Sequence, residues 1–271
     1  MPELPEVETV CRGLRPLIVG QTIERIEVRV EKLRWPIAPE LRQILPRQKI
    51  LSVARRAKYI LLEVESGLLL IHLGMSGVVR IVDSETPLQK HDHVDLVFGN
   101  GTSLRMNDPR RFGAWLWSRG PAAAHPRLRH LGPEPLSRQF NAAALHRLAT
   151  SRRIAVKNLI MDQKVVVGVG NIYASEALFR AGIDPARPAG EIGPGRYRKL
   201  VAEIKAVLAV AIEQGGTTIR DFTSAEGAPG YFSQQLQVYG REGAPCIVCC
   251  APIRNRRIGG RSSFYCPVCQ K

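Results

Sequence analysis

The chain has 271 residues, 45% of them hydrophobic, and 39 Lys and Arg against 24 Asp and Glu give it a net charge of +15. That size and apolar content exclude a disordered chain and leave room for two modest domains, while the charge points to a polyanion such as nucleic acid rather than a small neutral metabolite. No apolar run approaches the roughly 20 residues of a membrane-spanning helix, and the acidic start has no secretory signal, so no membrane partner and a cytoplasmic location are expected.

The chain opens MPELPEVETV. From position 5 to 18 the apolar residues Val7, Val10, Cys11, Leu14 and Ile18 fall at helical spacing. Pro5 suits the first turn, Glu6 and Glu8 suit the positive end of the helix dipole, and Gly20 can stop the helix. Pro2, exposed as the N-terminus once Met1 is removed, reads as helix punctuation, a disordered start or a reactive secondary amine.

Alternating patterns follow. Ile26, Val28 and Val30 alternate with Glu27, Arg29 and Glu31; segments 58–64 and 68–73 flank Ser66-Gly67; segments 94–98 and 102–106 flank Asn100-Gly101. With 114–117 this predicts about eight strands before residue 120, an antiparallel sandwich or barrel. The Pro- and Ala-rich run GPAAAHPRLRHLGPEPLS reads as a linker, and helices are expected beyond it at 141–150, 154–161, 171–181 and 195–214. Residues 215–240 read as a long loop. The expected division is 2–120, a linker at 121–136, a helical part at 137–240 and a last segment at 241–271.

Five of the six cysteines lie in the last 26 residues, in CIVCCAPIRNRRIGGRSSFYCPVC. The pairs Cys246/Cys249 and Cys266/Cys269 can each turn two thiolates toward one tetrahedral ion, which predicts a structural zinc site closed by four sulfurs. Cys250 is left as a spare. The segment from Arg241 to Lys271 has six basic residues and one acidic, a net of +5, and Arg254, Arg256, Arg257 and Arg261 on its hairpin suit phosphate.

PELPEVET, HLGMSG, NDPRRFG, GVGNIYASE and the cysteine tail occur in one order from residue 2 to 271. Together they resemble the formamidopyrimidine-DNA glycosylase family, bacterial base-excision enzymes for oxidised purines. The resemblance implies an α+β fold: an N-terminal β-sandwich with flanking helices, a helix–two-turn–helix domain and a β-hairpin zinc finger. It also implies a monomer with one structural zinc and no organic cofactor, acting on double-stranded DNA that contains 8-oxoguanine, formamidopyrimidines or abasic sites.

By that resemblance Pro2 attacks the sugar C1′ and Glu3 protonates the opening ring oxygen. Lys58 assists β-elimination and Arg261 grips the lesion phosphates and aids δ-elimination. Met75, Arg110 and Phe112 fill the space of the extruded nucleotide and contact the orphaned base, and the adjacent Arg111 is left to the backbone. His72 and Asn171 contact phosphate with the DNA-binding Arg152 or Lys157 nearby, His91 and His93 add DNA contacts, and residues 216–239 form the loop over the everted base. Glu6 reads equally as helix stabilisation or site support. Cys250 stands where the family commonly has glycine. Two competitors remain: the related endonuclease eight type for oxidised pyrimidines, disfavoured by LPEVET and PRRF, and a non-catalytic zinc-hairpin binder.

Overall fold

A computed structural model describes residues 2–216 and 235–271, so most of the expected 216–239 loop lies outside the described residues. The described chain divides into two compact units, one of residues 2–129 with 215 and 216, the other of residues 130–214 and 235–271.

In the first unit, helix α1 (Leu4–Ile18) starts at Glu3 with Pro5 in its first turn, where a missing N–H costs nothing. Its stripe of Val7, Val10, Cys11, Leu14 and Ile18 is buried as the spacing predicts, and Leu4 is buried with it. Strands β1 (Ile23–Val28), β2 (Ile50–Arg56), β3 (Tyr59–Val64), β4 (Gly67–His72), β5 (Val78–Asp83), β6 (Asp92–Phe98), β7 (Thr102–Asn107) and β8 (Ala114–Ser118) supply the eight expected strands. They form two antiparallel sheets, ordered β1-β6-β7-β5 and β2-β3-β4-β8. The core lies between them, with Val94, Leu96, Phe98, Leu104 and Met106 from the first and Val53, Ile60, Leu62, Ile71 and Trp115 from the second. Each such side chain contributes roughly 1.5–3 kcal/mol through burial. A one-turn helix, α2 (Leu41–Ile44), was not expected.

α1 packs beside β2, an edge strand. Arg15 donates to the Val53 carbonyl at 3.2 and 3.1 Å, satisfying an edge acceptor that would otherwise invite another strand. On the outer face of the other sheet Arg105 is fully buried and paired with Asp95, which also holds Arg29. A bulge between Asp92 and Val94 turns Asp92 to the same face, where Arg80 and the Asn107 amide meet it.

The second unit holds α3 (Ala142–Ala149), α4 (Val156–Met161), α5 (Asn171–Ala181), α6 (Pro194–Glu213) and the hairpin β9 (Arg254–Ile258) with β10 (Arg261–Tyr265). Asn141 caps α3 by accepting from Ala144 N–H at 2.9 Å. α5 is buried on nearly every side and ends at Gly182, whose φ of 72° only glycine adopts without strain. α4 begins two residues later than expected because Ala155 bridges Pro188 and the Ile154 carbonyl accepts from Ala189 N–H, leaving that backbone extended. Among the described residues no helix is long and apolar enough to cross a membrane.

Candidate nucleic-acid interface and catalytic site

Pro2 and Glu3 are buried at the head of α1. Glu3 N–H donates to the Glu6 carboxylate at 2.8 Å, and the two glutamates form a reciprocal capping box. The residue after the proline is thereby fixed by the helix it starts. Gly216, at φ 81°, lies against Glu6 so closely that an added Cβ would come within 3.0 Å of the carboxylate oxygen. Of the two readings left open for Glu6, the capping box bears out helix stabilisation.

Lys58 sits in the two-residue turn joining β2 and β3, after Ala57 at φ 54°. Arg55 links this turn to α1: it donates to the Glu8 carboxylate at 2.9 Å and to the Ala57 carbonyl at 2.8 Å. No sequence pattern singled out Arg55, because its role arises from a pairing 47 residues away.

His72 ends β4 opposite Tyr59, their rings 4.8 Å apart. Its Nδ1 accepts from Gly74 N–H at 2.9 Å, which places the proton of the neutral ring on Nε2. Burial, reinforced by the nearby Lys58 and Arg34 cations, pushes its pKa down to about 4. His72 is therefore a neutral Nε2–H donor at pH 7, a form suited to a phosphate oxygen.

The turn after β4 and the loop before β8 pack against each other. A Cβ at Gly74 would lie 2.4 Å from the Phe112 carbonyl carbon, so only glycine allows this approach. Asp108, buried beneath both, accepts from Gly113 N–H at 2.7 Å and Ser76 hydroxyl at 3.2 Å. Above this base Met75 and Phe112 are 42% and 41% exposed, which rules out the core role that their apolar character suggests. The Arg110 guanidinium lies 4.8 Å from the Phe112 ring centroid. A cavity of about 570 Å³ opens among Leu33, Arg34, His72, Met75, Arg111 and Phe112.

The two histidines of HDH part company. His91 is half-buried at φ 76°. His93, the extra residue of the β6 bulge, is buried with Nε2 donating to the Asp108 carbonyl at 3.1 Å. His93, read as a further DNA contact, here supports the 108–113 loop.

In the second unit Arg152 is exposed. Asn171 opens α5 and donates to the Ser262 carbonyl at 3.0 Å; its Oδ1 is buried with no partner among the described residues. Lys157 is fully buried, its ammonium donating to the same carbonyl at 3.0 Å and to the Ser263 hydroxyl at 2.7 Å. Lys157, which the resemblance put near the phosphate met by Asn171, here holds the hairpin. The β9–β10 turn, Gly259-Gly260 with both φ positive, presses on Asn158 of α4, where a Cβ at Gly259 would come within 2.5 Å. These contacts set Arg261, exposed at the start of β10, beside the N-terminus of α5. Glu176, fully buried on α5, accepts from the N–H groups of 237, 238 and 239 at 2.9–3.0 Å and was missed because a helical glutamate ordinarily reads as solvated.

The Sγ atoms of Cys246, Cys249, Cys266 and Cys269 lie within 4.8 Å of one another, with Cys249 and Cys266 at 3.4 Å and Cys246 and Cys269 at 4.0 Å. A tetrahedral ion with metal–sulfur bonds near 2.3 Å places its sulfurs about 3.8 Å apart, so the set fits one ion. Cys250 is exposed at φ 61°, a conformation that costs a Cβ-bearing residue and accounts for glycine being common there.

Two family models match the chain, the formamidopyrimidine-DNA glycosylase N-terminal domain over residues 1–115 and the formamidopyrimidine-DNA glycosylase H2TH domain over 131–223. The chain is similar to formamidopyrimidine-DNA glycosylases of Pseudomonas paraeruginosa, 57% identical, and Methylococcus capsulatus, 56% identical, each over the full length of both proteins. Among solved structures it resembles the Thermus thermophilus protein, with 39% identity, TM-score 0.88 and coverage of 99% and 98% of the two chains. It also resembles a Lactococcus lactis complex with DNA containing an abasic site, with 33% identity, TM-score 0.91 and 99% coverage of both.

Proposed function

The chain belongs to the formamidopyrimidine-DNA glycosylase family, and from that premise we propose that it excises oxidised purines from bacterial DNA in the cytoplasm and then cleaves the strand. The observation that carries the reading is the N-terminus: Pro2 and Glu3 are buried at the head of a capped helix rather than frayed.

The damaged nucleotide is turned out of the duplex, at a cost of a few kcal/mol. Met75 and Phe112, apolar and held outward on a rigid base, fill the gap, and Arg110 donates to the orphaned base. With Met1 removed, the Pro2 nitrogen attacks C1′ and the N-glycosidic bond breaks, the base leaving with the electron pair and taking up the proton that the amine gives up. Glu3 protonates the ring oxygen as the C1′–O bond opens, leaving an iminium ion. Because proline is a secondary amine, this iminium carries no N–H to lose and keeps its charge as an electron sink. Loss of a C2′ proton then expels the 3′ phosphate, with Lys58 assisting, and a second elimination aided by Arg261 expels the 5′ phosphate. His72, Asn171 and Arg152 bind backbone phosphate, and His91 adds a contact to the duplex. The four thiols hold zinc, which supplies a structural crosslink. No organic cofactor enters the chemistry, and a monomer suffices.

An 8-oxoguanine:C duplex labelled at either end tests this. A one-nucleotide gap with phosphate at both ends is expected. Release of base without strand scission would contradict the lyase steps.

A further inference from the structure

Arginines on the outer sheet of the first unit are neutralised: Arg25 by Glu24 and Glu27, Arg29 by Asp95, Arg80 by Asp92 and Arg105 by Asp95. The face bearing Met75 and Phe112 is different. Two guanidiniums stack on the Trp35 ring, Arg34 at 4.8 Å and Arg127 at 4.1 Å from its centroid. Both arginines are exposed, and among the described residues neither has a carboxylate within salt-bridge distance. Arg34 lines the same cavity as His72, Met75 and Phe112, and its N–H donates to the Gly113 carbonyl at 3.0 Å. This end of the stack is thus tied to the base under Met75 and Phe112. Both cations also bear on Tyr59, and Arg34 on His72.

Stacking on an indole restrains guanidinium planes that would otherwise sample many rotamers. A restrained, unpaired guanidinium presents its edge N–H groups to solvent in the geometry that matches phosphate oxygens. Two such groups without carboxylates form a site for a polyanion.

The geometry points to Arg34, Trp35 and Arg127 as a further phosphate subsite, one that grips the DNA backbone outside the extruded nucleotide without reading sequence. It rests on the DNA-binding reading and extends the footprint beyond the residues named there. The stack contributes to affinity and leaves the bond-breaking steps alone.

Binding of a lesion-free duplex, followed by fluorescence anisotropy between 50 and 200 mM KCl, tests it with Arg34→Gln, Arg127→Gln, Arg34→Lys and Trp35→Leu. Each phosphate neutralised contributes about −0.9 to the slope of log affinity against log salt. Each glutamine variant is expected to flatten the slope by about 0.9, so the fourfold salt increase weakens its binding about 3.5-fold less than it weakens the wild type's. Arg34→Lys should keep the slope with weaker binding, and Trp35→Leu should weaken binding at all salts. Single-turnover excision at saturating enzyme should not change in Arg127→Gln. Wild-type slopes in both glutamine variants would overturn the proposal, and with a lowered Tm would make the stack a structural staple only. A flat wild-type slope would instead contradict the DNA-binding reading itself.

Discussion

Replacing Lys157 with methionine separates a phosphate contact from a support. Its ammonium makes two hydrogen bonds to the zinc-hairpin segment, at 3.0 Å to the Ser262 carbonyl and 2.7 Å to the Ser263 hydroxyl. Bonds from a charged donor contribute about 1.5–3 kcal/mol each, whereas removing an ammonium from water costs several kcal/mol. Methionine fills a similar volume and relieves that cost, and both acceptors keep other connections: Asn171 still reaches Ser262, and Ser263 still bonds the Arg261 carbonyl at 3.2 Å. Unfolding free energy should therefore fall by only about 1–2 kcal/mol. The hairpin tip, however, loses the stronger of its two anchors, so Arg261 is less well oriented. An effect on DNA binding of about 1.5–3 kcal/mol is a roughly tenfold to hundredfold rise in Kd. Anisotropy across a salt series checks the mechanism. The slope should match wild type, because the buried ammonium meets no phosphate; a slope flatter by about 0.9 would show that it does, refuting the reasoning.

Met75→Ala and Phe112→Ala should leave urea midpoints nearly unchanged, since both side chains stand in solvent, yet each should slow single-turnover excision at least tenfold; a large loss of stability with normal excision would restore the core reading. Arg105→Met breaks a buried pair and leaves Asp95 short of its main partner, so about 3–5 kcal/mol of stability should be lost by chemical denaturation, and a loss below about 1 kcal/mol would contradict the network. The pKa of His72, about 4 when folded, lies below its ordinary 6.5, so the unfolded chain takes up the proton first. The stability contributed by neutral His72 is complete above pH 6.5 and falls as pH drops toward 4; His72→Asn, which keeps an acceptor for Gly74 N–H, should flatten that decline.

The parts legible in sequence were those punctuated locally. Gly170 and Gly182 bracket α5, so its bounds of 171–181 could be read directly. Six of the eight strands were placed from the sequence, without β2 and β5, and the order β1-β6-β7-β5 was not legible, because strands far apart in sequence pair there. The metal cluster was legible because four thiols at two fixed spacings have few other uses. The burial of Lys157 and His93 was not legible for a common reason. What buries these two is a tertiary partner: the hairpin carbonyl for one and the Asp108 carbonyl, reached through a bulge, for the other. Met75 and Phe112 show the reverse, apolar residues that the pattern assigns to a core and the packing of Gly74 against Phe112 holds outward.

The central claim is that the amine of Pro2 forms the covalent bond to DNA. Borohydride reduction of the enzyme on an 8-oxoguanine:C duplex, followed by mass spectrometry of the trapped peptide, tests it most directly. The account predicts an adduct on the N-terminal peptide lacking Met1, with the added sugar mass on Pro2. An adduct on Lys58, or none with the wild-type protein, would contradict it.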